Sequence, residues 1–220
     1  MRFRWPSARC SSSRTDSSDS KAVSVYLGQL LDPVEIPVIG LYLTAFALRF
    51  VLLFGFITYV SVLAMPRFQL AVALVGVVVS VRGIASLLGA TQGGRLVEAF
   101  NPSYVVIIGF VLFGVGLGAM GIVVSPIGLF VATFVFGLGD GIISPAQKST
   151  VNHVSSTRLR GGSMSTAVAC QNLGKIVGPS LFGLLLLTFS AAEVFLLFGG
   201  VFGLLGLVTV WLAYLLGQRD

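Results

Sequence analysis

Six long apolar segments dominate the chain and limit its fold more than any other feature. They cover about residues 40–64, 69–91, 104–125, 127–147, 163–189 and 192–216. Each is long enough to cross about 30 Å of hydrocarbon as a helix, at a rise of about 1.5 Å per residue. A helix satisfies its own backbone hydrogen bonds, which lipid cannot do. The sequence therefore predicts an all-α integral membrane protein with six transmembrane helices.

Composition supports a lipid environment. Of the 220 residues, 55% are hydrophobic and only 10% are charged, whereas soluble domains have about 25% charged residues. The net charge of +6 at pH 7 could indicate nucleic-acid binding, but no nucleic-acid motif is present, so the expected partner is the lipid bilayer. No acid–base, metal or phosphate-binding constellation occurs either, so we expect neither an enzyme nor a cofactor.

The segments outside the apolar runs indicate the topology. Residues 1–22 are basic and serine-rich, which predicts a disordered tail or linker; residues 23–39 are predicted to be an interfacial lead-in to a bundle over 40–218. Of the 14 lysines and arginines, three lie within spans, ten lie on one side of the membrane and only Arg67 lies on the other. This bias predicts that both termini are cytoplasmic, in the cell membrane.

Four charged residues fall well inside the predicted spans: Arg49, Arg82, Asp140 and Lys175, whereas Glu193 opens the sixth span at the outer surface. Each costs about 2.5–3.5 kcal/mol at a helix centre, so each should face protein or water and be paired. The helical rise places Asp140 about 10 Å and Arg82 about 12 Å from the cytoplasmic ends of their spans, which makes them the best-matched pair by depth. Two interpretations stay open: an ion pair that fixes helix register, or a cavity that binds substrate or coupling ions.

The fifth span favours the cavity because its first half is polar and includes Gln171 and Asn172. The candidates for a substrate or ion pathway are thus Asp140, Arg82, Lys175, Arg49, Gln171 and Asn172. We hypothesise that Asp140 titrates during the working cycle. Asp140→Asn should then abolish proton-coupled transport and leave membrane insertion intact.

Glycine pairs spaced four residues apart occur in five of the six spans. Such pairs lie on one helix face and let two backbones approach closely in lipid. They predict a tight bundle whose helices can slide or rock. The pairs are Gly89/Gly93, Gly114/Gly118, Gly137/Gly141, Gly174/Gly178 and Gly199/Gly203.

Spans four and five resemble the tenth and eleventh helices of the major facilitator superfamily, particularly its drug and metabolite antiporter branches. The matching residues form a glycine-rich helix that ends in Pro145, a helix start, and a glycine–proline element. In order they are Gly137, Gly139, Gly141, Pro145, Arg160, Gly161, Gly174, Gly178, Pro179 and Gly183. The link GATQGGRLVEAF looks like a degenerate copy of that family's G-x-L-x-D-R loop. Gly94, Leu96 and Glu98 fit that loop, although Glu replaces Asp and the following basic residues are missing.

The resemblance covers about residues 23–218 and implies one half, the carboxy-terminal six helices, of a twelve-helix fold. It implies secondary transport of a small organic solute by alternating access, with protons as one candidate coupling ion and export slightly favoured over uptake. The implied partner is a missing amino-terminal half or a second copy of the chain. The alternative is a truncated, non-transporting membrane scaffold or partner-binding protein.

Overall fold

A computed structural model describes residues 37–154 and 160–217, and within these ranges every regular element is a helix. The helices are α1 (Pro37–Phe68), α2 (Val72–Ala99), α3 (Pro102–Ile122), α4 (Pro126–Val154), α5 (Arg160–Leu185), α6 (Ala191–Leu197) and α7 (Gly203–Gly217), with a π-helical segment (Phe198–Phe202) between the last two. The predicted all-α fold is confirmed. The expectations for residues 1–36 lie outside the described residues.

Five segments of the described chain are long and apolar enough to cross a membrane. They are Leu43–Phe68, Val72–Ala99, Tyr104–Ile122, Pro126–Ser149 and Ala191–Val208. Helix α5 has 26 residues and is therefore long enough, but its polar residues, among them Gln171, Asn172 and Lys175, keep it below the apolar composition of the others. This agrees with the polar first half that the sequence predicts for the fifth span.

Two helices run past a proline. Helix α1 continues through Pro66 to Phe68, beyond the end predicted for the first span at about residue 64. Gln69, with φ of 52°, supplies the left-handed residue that often follows a helix. Pro145 does not end its helix either, since α4 continues to Val154. Burial of Ala146 and Gln147 directly beyond Pro145 stabilises the first of the extra turns and offsets the lost backbone hydrogen bond.

The expected loop GATQGGRLVEAF is helical. The structure places Gly94, Leu96 and Glu98 in the last two turns of α2. Leu96 and the residue after it pack against the hydrophobic core, which favours continuation of the helix. The Phe100 backbone N–H donates to the Leu96 carbonyl at 2.8 Å and closes the helix end.

The helices pack in two groups. Helices α2 and α3 pack on α4, whereas α1 packs on α5 and α7, and α3 also contacts α6 and α7. Buried phenylalanines join the groups: the ring centroid of Phe136 on α4 lies 4.8 Å from that of Phe56 on α1 and 4.4 Å from that of Phe113 on α3. Asp140 lies one helical turn further along α4 from Phe136, so a charged residue lies within the stretch of α4 that contributes to the core.

All five glycine pairs lie at helix contacts, which confirms the predicted close approach. A Cβ on Gly89 of α2 would come 2.5 Å from the Leu138 carbonyl oxygen of α4. A Cβ on Gly174 of α5 would come 2.6 Å from Phe50 Cβ of α1, and Gly199 lies directly against the backbone of Gly118 in α3. A methyl group does not fit at such contacts without displacement of the backbone.

Candidate functional site

Asp140 is the centre of a buried charged cluster that joins three helices. Its carboxylate, on α4, is only 2% exposed. Arg49 of α1 donates to Oδ1 from Nε at 2.9 Å and from Nη2 at 2.7 Å. Arg82 of α2 donates from Nη2 to Oδ2, and Ser86 Oγ donates to the same oxygen at 3.1 Å. We call Arg49, Arg82, Ser86, Asp140 and Gln147 the charged cluster.

Gln147 extends the cluster two turns along α4. Its Oε1 accepts from Arg49 Nη1 at 3.3 Å, and the Asp140 main-chain carbonyl accepts from Arg49 Nη2 at 3.0 Å. Arg49 thus uses three acceptor atoms, all on α4, and its Cζ lies 5.2 Å from the centre of the Phe50 ring. The planar guanidinium can satisfy several acceptors in fixed directions. This arginine therefore holds α1 to α4.

Buried polar residues of α4 recur every seven positions. Apart from Arg49, the buried polar or charged side chains of the described residues are Thr133, Asp140 and Gln147. A spacing of seven is close to two helical turns, so the three lie on one face. Asp140 and Gln147 on that face both accept hydrogen bonds from Arg49 of α1.

Glycines set the distance between α2 and the carboxylate. Gly137 and Gly141 flank Asp140, and a Cβ on Gly137 would come 2.5 Å from the Arg82 carbonyl oxygen. A Cβ on Gly141 would collide with the Ser86 carbonyl oxygen. Because no side chain separates the two backbones, even the short Ser86 side chain reaches Asp140. The glycine pair therefore builds the cluster as well as the helix contact.

The charged cluster carries more positive charge and more donors than its acceptors match. Two arginines face one aspartate, which leaves a net charge of about +1 at neutral pH. Within the described ranges, Arg82 Nε and Gln147 Nε2 are buried and have no acceptor, and Thr133 Oγ1 has no partner. Unmatched buried polar atoms are uncommon and call for an explanation.

The structure brings together three of the six pathway candidates. The pairing of Asp140 with Arg82 matches the one that depth predicted, and Arg49 joins them. Sequence reasoning missed Ser86 and Gln147. A usable signal existed for both, since Ser86 follows Arg82 by four residues and Gln147 follows Asp140 by seven, and such spacings share a helix face.

The other three candidates lie on α5, outside the charged cluster. Lys175 is exposed, and its Nζ donates to Asn172 Oδ1 at 3.2 Å. The same Nζ lies 5.6 Å from the centre of the Phe54 ring of α1. Gln171 is partly buried. Over the described part of the chain, Lys175 has no carboxylate partner.

The residues of the degenerate loop motif stand apart from the charged cluster. Gly94 faces open space where a Cβ would be, so no close approach requires a glycine there. Glu98 is exposed, and the ion pairs of residues 37–154 and 160–217 do not include it. Glu98 therefore has no ion-pair partner within these ranges.

The remaining motif residues lie at helix contacts or helix starts. Gly139 abuts the backbone of Phe113 in α3, and a Cβ on Gly183 would come 2.6 Å from the Tyr59 hydroxyl oxygen. Gly178 lies against the α1 backbone, and Pro179 is inside α5. Arg160 and Gly161 begin α5, as expected of the next helix start.

An apolar cavity of about 470 Å³ opens between α3 and the segment formed by α6, the π segment and α7. Its lining includes Gly114, Gly118 and Gly199 and contains no charged residue. The lining of this cavity is therefore apolar and uncharged, unlike the charged cluster.

Fold and site together define a multi-pass helical membrane protein with ionisable groups held between its helices. Residues 24–219 match the family model described as Major Facilitator Superfamily. The chain belongs to this superfamily, as its sequence motifs predicted.

Two relatives and one solved structure show the extent of the similarity. The multidrug resistance proteins MdtG of Klebsiella pneumoniae (strain 342) and of Escherichia coli O1:K1 / APEC are each 28% identical over 126 residues, which is 57% of this chain and 31% of the relative. The chain thus spans about a third of the length of these relatives. The POT family transporter PepTSo superposes with a TM-score of 0.74 at 20% identity, covering 81% of this chain and 37% of that chain. That likeness shows the fold alone.

Proposed function

We propose that this chain is one half of a secondary transporter that moves a small organic solute across the cell membrane by alternating access. The observation that carries the proposal is the charged cluster, because ionisable groups buried between membrane helices are costly and mark substrate or ion pathways. Superfamily membership supports a role in transport. The MdtG relatives are named multidrug resistance proteins, which supports drug-like compounds as the class of solute.

Asp140 is the proposed proton-exchange group. Among the described residues it is the only buried acid, and it neutralises arginines from α1 and α2 at the same time. Protonation of Asp140 weakens both ion pairs together and leaves Arg49 and Arg82 as unneutralised like charges. A single proton would then change how tightly α1 and α2 are held to α4.

The proposed partner is a second six-helix unit, either an amino-terminal half or a second copy, with the solute between the two. Helix α5 exposes Asn172, Lys175 and Ser180, and polar side chains at this depth avoid lipid. Helix α2 exposes the large apolar residues Ile84 and Leu87. In this arrangement both termini face the cytoplasm, as the distribution of basic residues favours.

Reconstitution into proteoliposomes tests the proposal. The chain would be inserted alone and together with a six-helix amino-terminal half, and efflux of anionic, neutral and cationic fluorescent compounds would be followed under an imposed pH gradient. We expect gradient-dependent efflux for the wild type and loss of that dependence in Asp140→Asn. Asp140→Glu, which keeps the charge, should retain part of the coupling.

Glu193→Gln is the matched control, because it also exchanges a carboxylate for an amide. Glu193 lies outside the charged cluster and closes a capping box with Ser190, a role that Gln can also fill. Normal pH-coupled efflux in Asp140→Asn would contradict the role of Asp140. Absence of efflux in every pairing would favour a non-transporting scaffold.

A further inference from the structure

Lys175 is a cation that the described protein leaves without a counter-ion. It lies in the middle of α5, is exposed, and has only the neutral Asn172 amide oxygen as a hydrogen-bond acceptor, at 3.2 Å. A lysine within a membrane-spanning helix is energetically unfavourable unless it is paired or solvated. A bound anion that accepted from Lys175 would offset that cost.

An aromatic surface connects Lys175 to the charged cluster. Lys175 Nζ lies 5.6 Å from the centre of the Phe54 ring, the Phe54 and Phe50 rings are stacked with centroids 6.3 Å apart, and Arg49 Cζ lies 5.2 Å from the centre of the Phe50 ring. Two cations therefore lie at the ends of one stacked ring pair. Such a surface offers charge at its ends and an apolar face between them.

The balance of charge and of hydrogen-bonding atoms points the same way. Of the charged residues well inside the predicted spans, Arg49, Arg82 and Lys175 are basic and Asp140 is the one acid, and Asp140 is also the only buried acid of the described residues. Arg82 Nε and Gln147 Nε2 are buried donors without acceptors in that part of the chain. The excess is of positive charge and of donors, so the missing component is an anion with acceptor atoms.

We propose that the α5 face formed by Lys175 and Asn172, together with Phe54 of α1, binds the anionic group of an aromatic organic acid. The acid group accepts from Lys175 Nζ, while its ring lies against Phe54. This names the class of solute and therefore rests on the proposed transport function, but binding itself does not require transport.

Equilibrium dialysis of the full chain in detergent micelles tests the proposal with three radiolabelled probes of similar shape. Benzoate is anionic, benzamide is neutral and benzylammonium is cationic. A hydrogen bond to a charged group contributes about 1.5–3 kcal/mol, or about tenfold to a hundredfold in affinity. We expect benzoate to bind at least about tenfold more tightly than the other two probes, and Lys175→Met to remove that advantage.

Matched variants separate a bound charge from a change in folding. Lys175→Arg should keep benzoate binding within a few fold, and Lys148→Met, which removes an exposed lysine of α4, should leave it unchanged. Circular dichroism during heating should give the same unfolding profile for all three variants and the wild type.

The outcomes distinguish this inference from the proposed function. The anion site is overturned if benzoate binds no more tightly than benzamide, or if benzoate binding survives Lys175→Met. Pairing of Lys175 with an acid of a second unit would give the same result and would also overturn the site. Lys175-dependent benzoate binding without any flux supports the site and contradicts transport. Flux of benzylammonium together with benzoate binding that survives Lys175→Met supports transport and overturns the site.

Discussion

Replacement of Asp140 by Asn is expected to destabilise the bundle by about 3 kcal/mol. The carboxylate accepts from Arg49 at 2.9 and 2.7 Å, from Arg82, and from Ser86 at 3.1 Å. Removal of one member of a buried ion pair costs about 3–5 kcal/mol, because the partner charge stays buried and uncompensated. Asn keeps one acceptor oxygen for Arg49, which places the estimate at the lower end of that range. Its amide N–H group then faces Arg82, and because both groups are donors that hydrogen bond is lost.

The assay is reversible unfolding by SDS in mixed micelles, followed by far-ultraviolet circular dichroism. Arg82→Met should be far milder than Asp140→Asn, because it leaves the Arg49–Asp140 pair neutral. The double variant Asp140→Asn/Arg82→Met should be more stable than Asp140→Asn alone, since one unneutralised cation is gone. Glu193→Gln should change stability by less than about 0.5 kcal/mol.

The result that refutes this reasoning is specific. If Asp140→Asn unfolds at the same SDS fraction as Glu193→Gln, the ion pairs do not hold α1 and α2 to α4. If the double variant is less stable than Asp140→Asn alone, repulsion between uncompensated arginines is not the cause of the loss.

Three further predictions concern the helix contacts and the exposed faces. Gly141→Ala places a methyl group against the main chain of α2 and should lower the free energy of unfolding in the SDS assay by about 1–3 kcal/mol. Gly94 has open space around it, so Gly94→Ala should not lower stability. Equal effects of the two variants would contradict the close approach. Asn172→Cys in a cysteine-free background should react with a membrane-impermeant thiol reagent faster than Val111→Cys on α3, and equal rates would place both faces in the same environment. Arg67 donates to the Gly121 carbonyl at the end of α3 at 2.6 Å, so Arg67→Leu should speed amide exchange in the last turn of α3; unchanged exchange would show that the cap is not needed.

Depth along a span could be predicted from sequence, whereas position around the bundle could not. The helical rise placed Asp140 and Arg82 at similar heights, and the structure joins them. The same helical rise places Arg49 about 14 Å from the cytoplasmic end of its span, about 4 Å deeper than Asp140, yet it makes the larger number of hydrogen bonds to Asp140. A long arginine side chain spans such a height difference, and which helices are neighbours depends on tertiary packing that no single segment encodes.

The helices were easier to detect than to delimit. The apolar runs identified each helix because hydrophobicity determines what lies in lipid. Their ends depend instead on packing: α2 continues through Leu96 and α4 continues past Pro145, since side chains beyond the apolar run still contact the core. Glycine spacing predicted the helix contacts correctly, because the missing side chain is itself the physical cause of the close approach.

The charged cluster also imposes an order on biosynthesis. Arg49 is separated from Asp140 by 91 positions and Arg82 by 58. At about 5–20 residues per second, the ribosome needs roughly 5–18 s after adding Arg49 before it adds the acid that neutralises it. Throughout that time α1 carries an unpaired guanidinium that lipid disfavours. The first two helices must therefore remain in the insertion machinery, or in contact with water, until the fourth helix emerges and releases them into the bilayer together.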